Sequence, residues 1–407
     1  MKFIVVLGDG MADRPRPELG GRTPLAYART PHMDRVASSL LGMVRTVPQG
    51  LPPGSDVANL AVMGFDPRRY YTGRSPLEAV SMGIDLGPMD IAFRCNLVSL
   101  SDEEPFEAKT MVDYSAGEIS TREARELIAA VASRLDTADR RFYPGISYRH
   151  LMVWKNGPEG SALTPPHDIS GKVIGPYLPK GEGAPGLLSL MCESAAILAG
   201  HPVNAARRAR GLRPATAVWL WGRGRRPSLP RFTDLYGLEG AVISAVDLVR
   251  GIGRCAGMEV IEVPGATGNI HTNFRGKAEA ALAALEEGLD FVYVHVEAPD
   301  EAGHQGDLET KIRAIEAVDE QVLGEILGGL REFPSYRVMV LPDHPTPLDI
   351  RTHTDDPVPF AMADQAAPPG ACPFSEENAA RTGVYFSDGP ALLRRFLEDE
   401  LHDTGVP

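Results

Sequence analysis

Seven side chains of this sequence have the chemistry of a metal-dependent phosphoryl-transfer site. Three carboxylates, three imidazoles and a hydroxyl suit a pair of divalent cations that clamp the attacking and leaving oxygens of an in-line displacement. Mixed carboxylate and imidazole ligands favour Mn, with Zn, Co or Mg as other options, whereas an all-oxygen set would indicate Mg. The seven residues are Asp9, Ser55, Asp300, His304, Asp343, His344 and His353.

A short apolar run with the length of a buried strand precedes each of the three carboxylates. Asp9, Asp300 and Asp343 each follow such a run within a few residues. Open parallel sheets place their sites just past the carboxyl ends of strands, so the pattern predicts one shared site. The runs are Lys2–Leu7, Phe291–Val296 and Tyr336–Leu341.

Taken singly, these residues also fit structural roles. Asp9 in Gly-Asp-Gly suits an ordinary turn as well as a ligand. Asp300 and His304 are spaced i, i+4, so one helical turn would direct both at one ion. The adjacent pair Asp343 and His344 is more specific, because it follows a strand and has a proline on each side. The combination therefore favours the metal site.

Ser55 has two interpretations of its own. It precedes a helical stretch over residues 56–63, where serine commonly caps the helix N-terminus. A helix N-terminus also offers unpaired N–H groups that bind phosphate, which suits a serine nucleophile. Proximity to the metal ligands would favour the second interpretation.

The composition limits the partners that we expect. The chain has 407 residues and a net charge of −13, which argues against nucleic acid and anionic membranes. No apolar segment approaches membrane-spanning length. Four widely spaced cysteines predict reduced thiols in a cytoplasmic protein. The expected partner is a small phosphorylated molecule, and the sequence does not indicate the oligomeric state.

Strand and helix signals alternate at both ends of the chain, which predicts an α/β fold with a doubly wound, mostly parallel sheet. We expect residues 1–82 and 214–407 to form this core, and residues 83–213 to form a smaller inserted α+β domain. Further strands are expected at Met43–Val47, Ile91–Leu100, Arg149–Trp154 and Ala217–Trp221. Further helices are expected at Met33–Leu41, Thr121–Leu135, Ala278–Glu287, Glu309–Leu330 and Ala391–Leu401.

Several motifs resemble those of the archaeal-type 2,3-bisphosphoglycerate-independent phosphoglycerate mutases, within the alkaline phosphatase superfamily. They are Asp9-Gly-Met-Ala-Asp-Arg-Pro15, Pro52-Pro-Gly-Ser-Asp-Val-Ala-Asn-Leu60, Asp300-Glu-Ala-Gly-His304, Asp343-His344 and His353. The resemblance covers nearly the whole chain. It implies an alkaline-phosphatase-like core, one metal on Asp9, Ser55, Asp343 and His344, and a second metal on Asp300, His304 and His353. It also implies that Ser55 is transiently phosphorylated.

The resemblance further implies that the insert carries substrate-binding residues, for which arginine forks suit phosphate or carboxylate. The candidates in the insert are Arg94, Arg149, His150, His167 and Asp168, and Arg74 is expected to reach the site from the core. The expected reaction is the interconversion of 3-phosphoglycerate and 2-phosphoglycerate. A closely similar subgroup has been proposed to act as ATP-dependent homoserine kinases, which is the principal alternative. A phosphomonoesterase and a metal-stabilised binding protein rank below both.

Overall fold

The computed structural model describes residues 1–366 and 370–398. The chain divides into two compact units. The first unit comprises Met1–Tyr71 and the described residues from Ser228 onward, and the second unit is Thr72–Pro227.

The strands of the described residues are β1 (Lys2–Gly8), β2 (Leu40–Val44), β3 (Ile91–Leu100), β4 (Met111–Asp113), β5 (Arg140–Ile146), β6 (Arg149–Trp154), β7 (Ser161–Ala162), β8 (Lys180–Gly181), β9 (Ala217–Arg225), β10 (Gly240–Ile243), β11 (Glu259–Ile261), β12 (Phe291–Val296), β13 (Tyr336–Leu341), β14 (Val358–Asp364) and β15 (Tyr385–Phe386).

The α-helices are α1 (Pro24–Tyr27), α2 (Pro31–Ala37), α3 (Ser55–Val62), α4 (Pro67–Tyr70), α5 (Ser75–Ser81), α6 (Thr121–Leu135), α7 (Ala184–Ala199), α8 (Pro202–Ala209), α9 (Phe232–Tyr236), α10 (Asp247–Cys255), α11 (Phe274–Glu286), α12 (Ala298–Gln305), α13 (Leu308–Ala317), α14 (Gly324–Gly329), α15 (Glu376–Arg381) and α16 (Gly389–Leu397). A π-helical segment, Val318–Leu323, joins α13 to α14. Short 3-10 helices lie at Pro17–Leu19, Phe106–Ala108, Pro166–Ile169, Gly175–Tyr177 and Leu330–Glu332.

The first unit is built on an eight-stranded sheet in the order β11-β10-β12-β1-β13-β14-β2-β15. Every neighbouring pair is parallel except the two pairs that β14 makes. The central strands β12, β1 and β13 are buried along nearly their whole length. Such continuous apolar strands are typical of a parallel sheet that is covered on both faces.

Helices cover both faces of this sheet. On one face, even-numbered residues of β1 and β12, Ile4 among them, pack against α2 and α11 in one apolar cluster. On the other face, the rings of Phe3 and Phe396 of α16 lie 5.7 Å apart, and those of Phe291 and Phe232 of α9 lie 4.8 Å apart. The predicted α/β class with a doubly wound, mostly parallel sheet is confirmed.

Several predicted elements of the first unit lie a few residues away from the observed ones. The predicted helix Met33–Leu41 is α2, which begins at Pro31 and ends at Ala37. The predicted strand Met43–Val47 is β2 at Leu40–Val44, because the residues that pair with β14 are Leu40 to Val44. The predicted helix Ala391–Leu401 corresponds to α16, and its last residues lie outside the described part of the chain.

The second unit contains an antiparallel sheet of β4, β3, β6, β5 and β9. β9 pairs with β3 from Val98 opposite Ala217 to Ile91 opposite Arg225. α5 packs against both strands. The predicted insert, 83–213, therefore stops short of this unit at both ends, because α5 and β9 belong to its core.

Among the described residues, no single helix has the length and apolar character needed to cross a membrane. α7 and α8 meet that test only as a pair, with a bend of 64° between them.

Candidate active site

The candidate site lies at the carboxyl ends of three adjacent parallel strands of the first unit. Leu7 of β1 is in register with His295 of β12 and with Leu341 of β13. The residues just past these strand ends therefore lie side by side. Asp9, Asp300 and Asp343 come from these three strand ends and are all buried.

Asp300, His304 and His353 form a compact group. Asp300 and His304 lie one turn apart on α12, as the i, i+4 spacing predicts, with 3.2 Å between Asp300 Oδ2 and His304 Nε2. His353 arrives from the loop after β13, and its Nε2 lies 3.4 Å from Asp300 Oδ1. The candidate ligand atoms of the three residues lie within 4.8 Å of one another. This geometry suits one cation.

Asp9, Asp343 and His344 form the adjoining group, with Ser55 beside it. His344 Nε2 lies 3.5 Å from Asp9 Oδ1 and 3.4 Å from Asp343 Oδ2. The Ser55 hydroxyl lies 3.1 Å from the same nitrogen. Asp300 also comes within the 4.8 Å limit of Asp9 and His344. The two groups therefore meet at Asp300.

Ser55 is the first residue of α3 and does not cap it. Gly54 occupies the N-cap position, and the helix start has no side-chain capping bond. The Ser55 hydroxyl is therefore not committed to the helix backbone, which removes the N-cap interpretation. The positive end of the helix dipole at the start of α3 nevertheless favours a phosphate, although the Val57 N–H of the first turn already donates to Asp56 Oδ1 at 3.0 Å.

The negative charge of the buried carboxylates in this site favours a bound cation. Burial, together with the carboxylates of Asp343 and Asp300, raises the pKa of Asp9 well above its usual range. Among the described residues, the buried Asp9 Oδ1 has no hydrogen-bond partner. Burying carboxylates together without compensation is costly, and a divalent ion would satisfy both the charge and the open oxygen. The donor set therefore fits the metal centre that the sequence predicts.

The imidazoles of the first group are arranged to hold a negative charge. Burial alone would raise the pKa of Asp300, but hydrogen bonds with His304 and His353 lower it well below its usual range. Burial would in turn lower the pKa of His304, and its bond with Asp300 raises it to about 9. These shifts show that positive charge beside the Asp300 carboxylate is favourable, as it would be for a bound cation.

Asn59 and Tyr293 connect the serine to a carboxylate ligand. The Asn59 side-chain amide donates to Ser55 O, at 2.8 Å, and to Asp343 Oδ2, at 2.9 Å. The Tyr293 hydroxyl donates to Asn59 Oδ1 at 2.7 Å and fixes the orientation of the amide. The start of α3 is thereby tied to the end of β13.

The loops around Asp300 approach one another so closely that a glycine is required. Gly10 has φ +64°, and a Cβ atom there would lie 2.7 Å from Asp300 Oδ1. Thr346 donates its hydroxyl to the same oxygen at 2.5 Å. The buried Lys311 then donates to the Thr346 carbonyl and to Asp13, each at 2.7 Å. These contacts hold the loop after β13 against the end of β1.

His295 lies inside β12 and is not among the site residues predicted from the sequence. Its Nε2 lies 2.9 Å from Asp9 Oδ2, and its candidate ligand atom lies within 4.8 Å of those of Asp9 and Asp343. The available signal was a single imidazole in the otherwise apolar run Phe291–Val296. Asn59 was missed too, because an amide inside a helical stretch has no distinctive spacing.

In the second unit, the three predicted substrate-binding arginines lie around one glutamate. Arg74 Nε lies 2.8 Å from Glu78 Oε1, and Arg94 Nε lies 3.2 Å from Glu78 Oε2. Burial would raise the pKa of Glu78, but Arg94, Arg74 and Arg149 lower it. The Arg94 guanidinium also stacks 4.5 Å from the centre of the Trp221 ring. We call Arg74, Arg94 and Arg149 the arginine cluster.

His167 and Asp168 lie near this cluster. The His167 ring is 5.3 Å from the Trp221 ring, centre to centre. Its Nε2 lies 3.6 Å from Asp168 Oδ1, and both side chains are well exposed. Burial, partly offset by Asp168, lowers the pKa of His167.

His150 is not brought to the arginine cluster. Neighbouring residues of a strand face opposite sides of the sheet, so His150 and Arg149 point apart on β6. His150 is buried, and its Nδ1 accepts the Gly145 N–H at 2.9 Å. Burial, with a smaller effect of Arg125, lowers its pKa to about 3. This environment gives His150 a structural role.

We expect His150 to make the protein sensitive to mild acid. The folded pKa of about 3 lies below the ordinary value of 6.5, so stability is lost as the pH falls below that ordinary value. Between pH 6.5 and pH 5 the free energy of unfolding should fall by about 2 kcal/mol. His150→Asn, whose Oδ1 can still accept the Gly145 N–H, should flatten this dependence in urea denaturation at several pH values. His201→Asn, at a partly exposed histidine that also accepts a backbone N–H, is the control. An unchanged pH slope in His150→Asn would contradict the prediction.

Comparison with known proteins shows what this chain is similar to. A probable 2,3-bisphosphoglycerate-independent phosphoglycerate mutase from Geobacter sulfurreducens is 55% identical, over 98% of this chain and 100% of its own length. The chain belongs to the 2,3-bisphosphoglycerate-independent phosphoglycerate mutase family. A relative of the same name from Methanothrix thermoacetophila is 52% identical over 98% of this chain and 100% of its own. The family's model matches residues 37–204.

Solved structures agree with this membership. A protein from Pyrococcus horikoshii superimposes with a TM-score of 0.81 at 28% identity, covering 98% of each chain. A cofactor-independent phosphoglycerate mutase from Thermoplasma acidophilum superimposes with a TM-score of 0.65 at 26% identity, covering 98% of this chain and 99% of its own. The family resemblance of the sequence motifs is therefore confirmed over the whole chain.

Proposed function

We propose that this family member is a phosphoglycerate mutase that interconverts 3-phosphoglycerate and 2-phosphoglycerate without added 2,3-bisphosphoglycerate. The observation that carries the proposal is the position of Ser55. Its hydroxyl makes no capping bond, lies 3.1 Å from His344 Nε2 and adjoins two groups of metal-type ligands. Relatives covering nearly the whole chain have the mutase name. None of these observations favours the homoserine kinase alternative.

The proposed centre holds two divalent cations, with Mn the metal that the mixed donor set favours. Asp300, His304 and His353 would hold one of them. Asp9, Asp343, His344 and Ser55 would hold the other. When bound, the cations neutralise the charge of the phosphate and lower the pKa of the serine hydroxyl.

In the forward direction, Ser55 Oγ forms an ester bond to phosphorus as the bond between phosphorus and the C3 oxygen breaks. The C3 oxygen takes up a proton, and Ser55 has lost one. After the glycerate turns, its C2 oxygen takes the phosphoryl group and returns Ser55 to the hydroxyl form. The positive end of the α3 helix dipole stabilises the phosphoryl group in both steps. Phosphate and protons balance over the cycle, so no water is consumed.

The arginine cluster of the second unit is the proposed binding site for the anionic groups of the glycerate. Guanidinium forks bind phosphate or carboxylate through paired N–H donors. The three arginines carry more positive charge than Glu78 neutralises, so positive charge is in excess in the cluster. Glu78 and the Trp221 ring hold Arg94 in one orientation, which reduces the entropy lost on binding.

Side-by-side assays test the proposed reaction. Protein loaded with Mn²⁺ should convert 3-phosphoglycerate to 2-phosphoglycerate in an assay coupled to enolase. Formation of O-phosphohomoserine from homoserine and ATP would support the kinase instead. Steady release of phosphate from an aryl phosphate would indicate a phosphomonoesterase. Absence of mutase activity in metal-loaded protein would refute the proposal.

We expect Arg94→Met to lower kcat/KM for 3-phosphoglycerate about 10- to 100-fold, because a hydrogen bond to a charged group contributes about 1.5–3 kcal/mol. Arg94→Lys should recover little of this, since lysine lacks the planar fork that stacks on Trp221. Arg213→Met is the matched control, because Arg213 pairs with Asp113 elsewhere in the second unit. Steady-state kinetics measure the three variants, and equal effects of Arg94→Met and Arg213→Met would contradict a binding role.

A further inference from the structure

His295 occupies an unusual place for an imidazole, within the fully buried central strand β12. Its ring lies between two polar groups from the neighbouring strands. Nε2 lies 2.9 Å from Asp9 Oδ2, beyond the end of β1, and Nδ1 lies 3.2 Å from Ser244 Oγ, beyond the end of β10. The parallel registers of β10, β12 and β1 bring these three side chains into one row.

The contacts define which nitrogen of His295 carries the proton. Each ring nitrogen has one polar neighbour, Asp9 Oδ2 at Nε2 and Ser244 Oγ at Nδ1. A metal-ligating Asp9 is ionised and can only accept, so the proton is on Nε2 and points at Oδ2. Nδ1 then accepts the Ser244 hydroxyl proton. Ser244 is itself oriented, because its oxygen accepts the Val246 N–H at 3.0 Å.

The two carboxylate oxygens of Asp9 differ in their hydrogen bonding. Oδ2 accepts from His295, whereas Oδ1 is buried without a hydrogen-bond partner among the described residues and lies 3.5 Å from His344 Nε2. A carboxylate held in this way presents one defined oxygen to a cation. Hydrogen-bonded groups behind metal ligands commonly fix the orientation of the ligand.

We infer that His295 is a positioning residue for Asp9: it holds Oδ2, directs Oδ1 at the metal position, and is itself held by Ser244. The inference rests on the proposed function, because it takes Asp9 as a metal ligand. It also gives His295 a place outside the ligand set, although its ring lies within 4.8 Å of candidate ligand atoms of Asp9 and Asp343. Nε2 cannot both donate to Asp9 and bind a cation.

Two substitutions separate positioning from ligation. His295→Gln keeps an N–H donor close to the place of Nε2, and His295→Leu removes it. Ser244→Ala removes the donor to Nδ1. Val292→Ala, at a buried residue of β12 on the opposite face of the sheet, controls for damage to the strand. Mn²⁺ affinity and the number of bound ions are measured by competition with a chelator, and folding by thermal melting.

We expect His295→Leu to weaken Mn²⁺ binding at one of the two positions about 10- to 100-fold, the usual effect of removing a group behind a metal ligand. His295→Gln should restore the affinity close to that of the wild type, Ser244→Ala should fall between these two, and Val292→Ala should bind normally. Unchanged Mn²⁺ affinity in His295→Leu would overturn this inference but not the proposed function. Loss of one ion in both His295 variants would overturn it in favour of ligation. Wild-type protein that binds no Mn²⁺ would overturn the proposed function and the inference with it.

Discussion

Ser55→Ala should lower mutase turnover by about 10⁴-fold or more, the scale of loss when the nucleophile of covalent catalysis is removed. The reason is that no other hydroxyl takes the place of Ser55 at the start of α3 beside His344 among the described residues. The variant should still bind both cations, because Asp9, Asp343 and His344 remain. Coupled kinetics, metal analysis and mass spectrometry of acid-quenched enzyme with substrate measure the three consequences. The wild type should show a phosphoryl adduct on Ser55 and the variant none.

Ser375→Ala is the matched control for this experiment. Ser375 also lies at a helix start in the first unit, but it is buried, whereas Ser55 is partly exposed, and it caps α15 by accepting the Asn378 N–H at 3.2 Å. Its loss should cost about 1 kcal/mol of stability and leave turnover unchanged. Ser55→Ala should do the reverse, because Ser55 makes no capping bond. Turnover of Ser55→Ala within about tenfold of the wild type would exclude the phosphoserine route.

Asp300→Asn is expected to have the second largest effect. Asp300 is the one carboxylate shared by the group with His304 and His353 and the group with Asp9 and His344. Neutralising it should weaken both proposed metal positions. If this removes about 4 kcal/mol of transition-state stabilisation, turnover falls about 10³-fold.

Thermal unfolding provides a readout of Asp300→Asn that is independent of activity. A ligand that binds only the folded state stabilises it by about 2.7 kcal/mol at 100 times its Kd. Mn²⁺ should therefore raise the melting temperature of the wild type and have much less effect on Asp300→Asn. Glu301→Gln makes the same chemical change one residue away, at an exposed side chain that bonds to Gln305, and should behave as the wild type. Equal stabilisation of Asp300→Asn and Glu301→Gln by Mn²⁺ would show that Asp300 holds no metal.

The sequence sufficed for those parts of the site that local patterns encode. Asp9 and Asp343 follow apolar runs whose strand character needs no tertiary information, and they lie at adjacent strand ends as predicted. Asp300 and His304 share one turn of α12, as their spacing requires. His353 had no local signal and depended on the family resemblance. Its ligand role, like the roles of the substrate-binding candidates and the identity of the metal, stays a prediction.

The differences between the predicted and the observed arrangement have identifiable physical causes. His150 and Arg149 are adjacent in the sequence, but strand geometry sends them to opposite faces, so only Arg149 joins the arginine cluster. The second unit extends beyond the predicted insert because β9 pairs with β3, and strand pairing between distant segments leaves no mark on composition.

The sequence by itself determined the kinds of ligand, the strands and helix turns that carry them, and the family. Only the tertiary structure decided how each ligand is held. The bonds from His295 to Asp9 and from Asn59 to Asp343 join residues 286 and 284 positions apart. His295 could not be recognised beforehand because both faces of β12 are buried, so no alternation of polar and apolar residues marks which side chains reach the site. The absence of a capping bond to the Ser55 hydroxyl likewise follows from Gly54 taking the N-cap, a one-residue difference that propensities do not resolve.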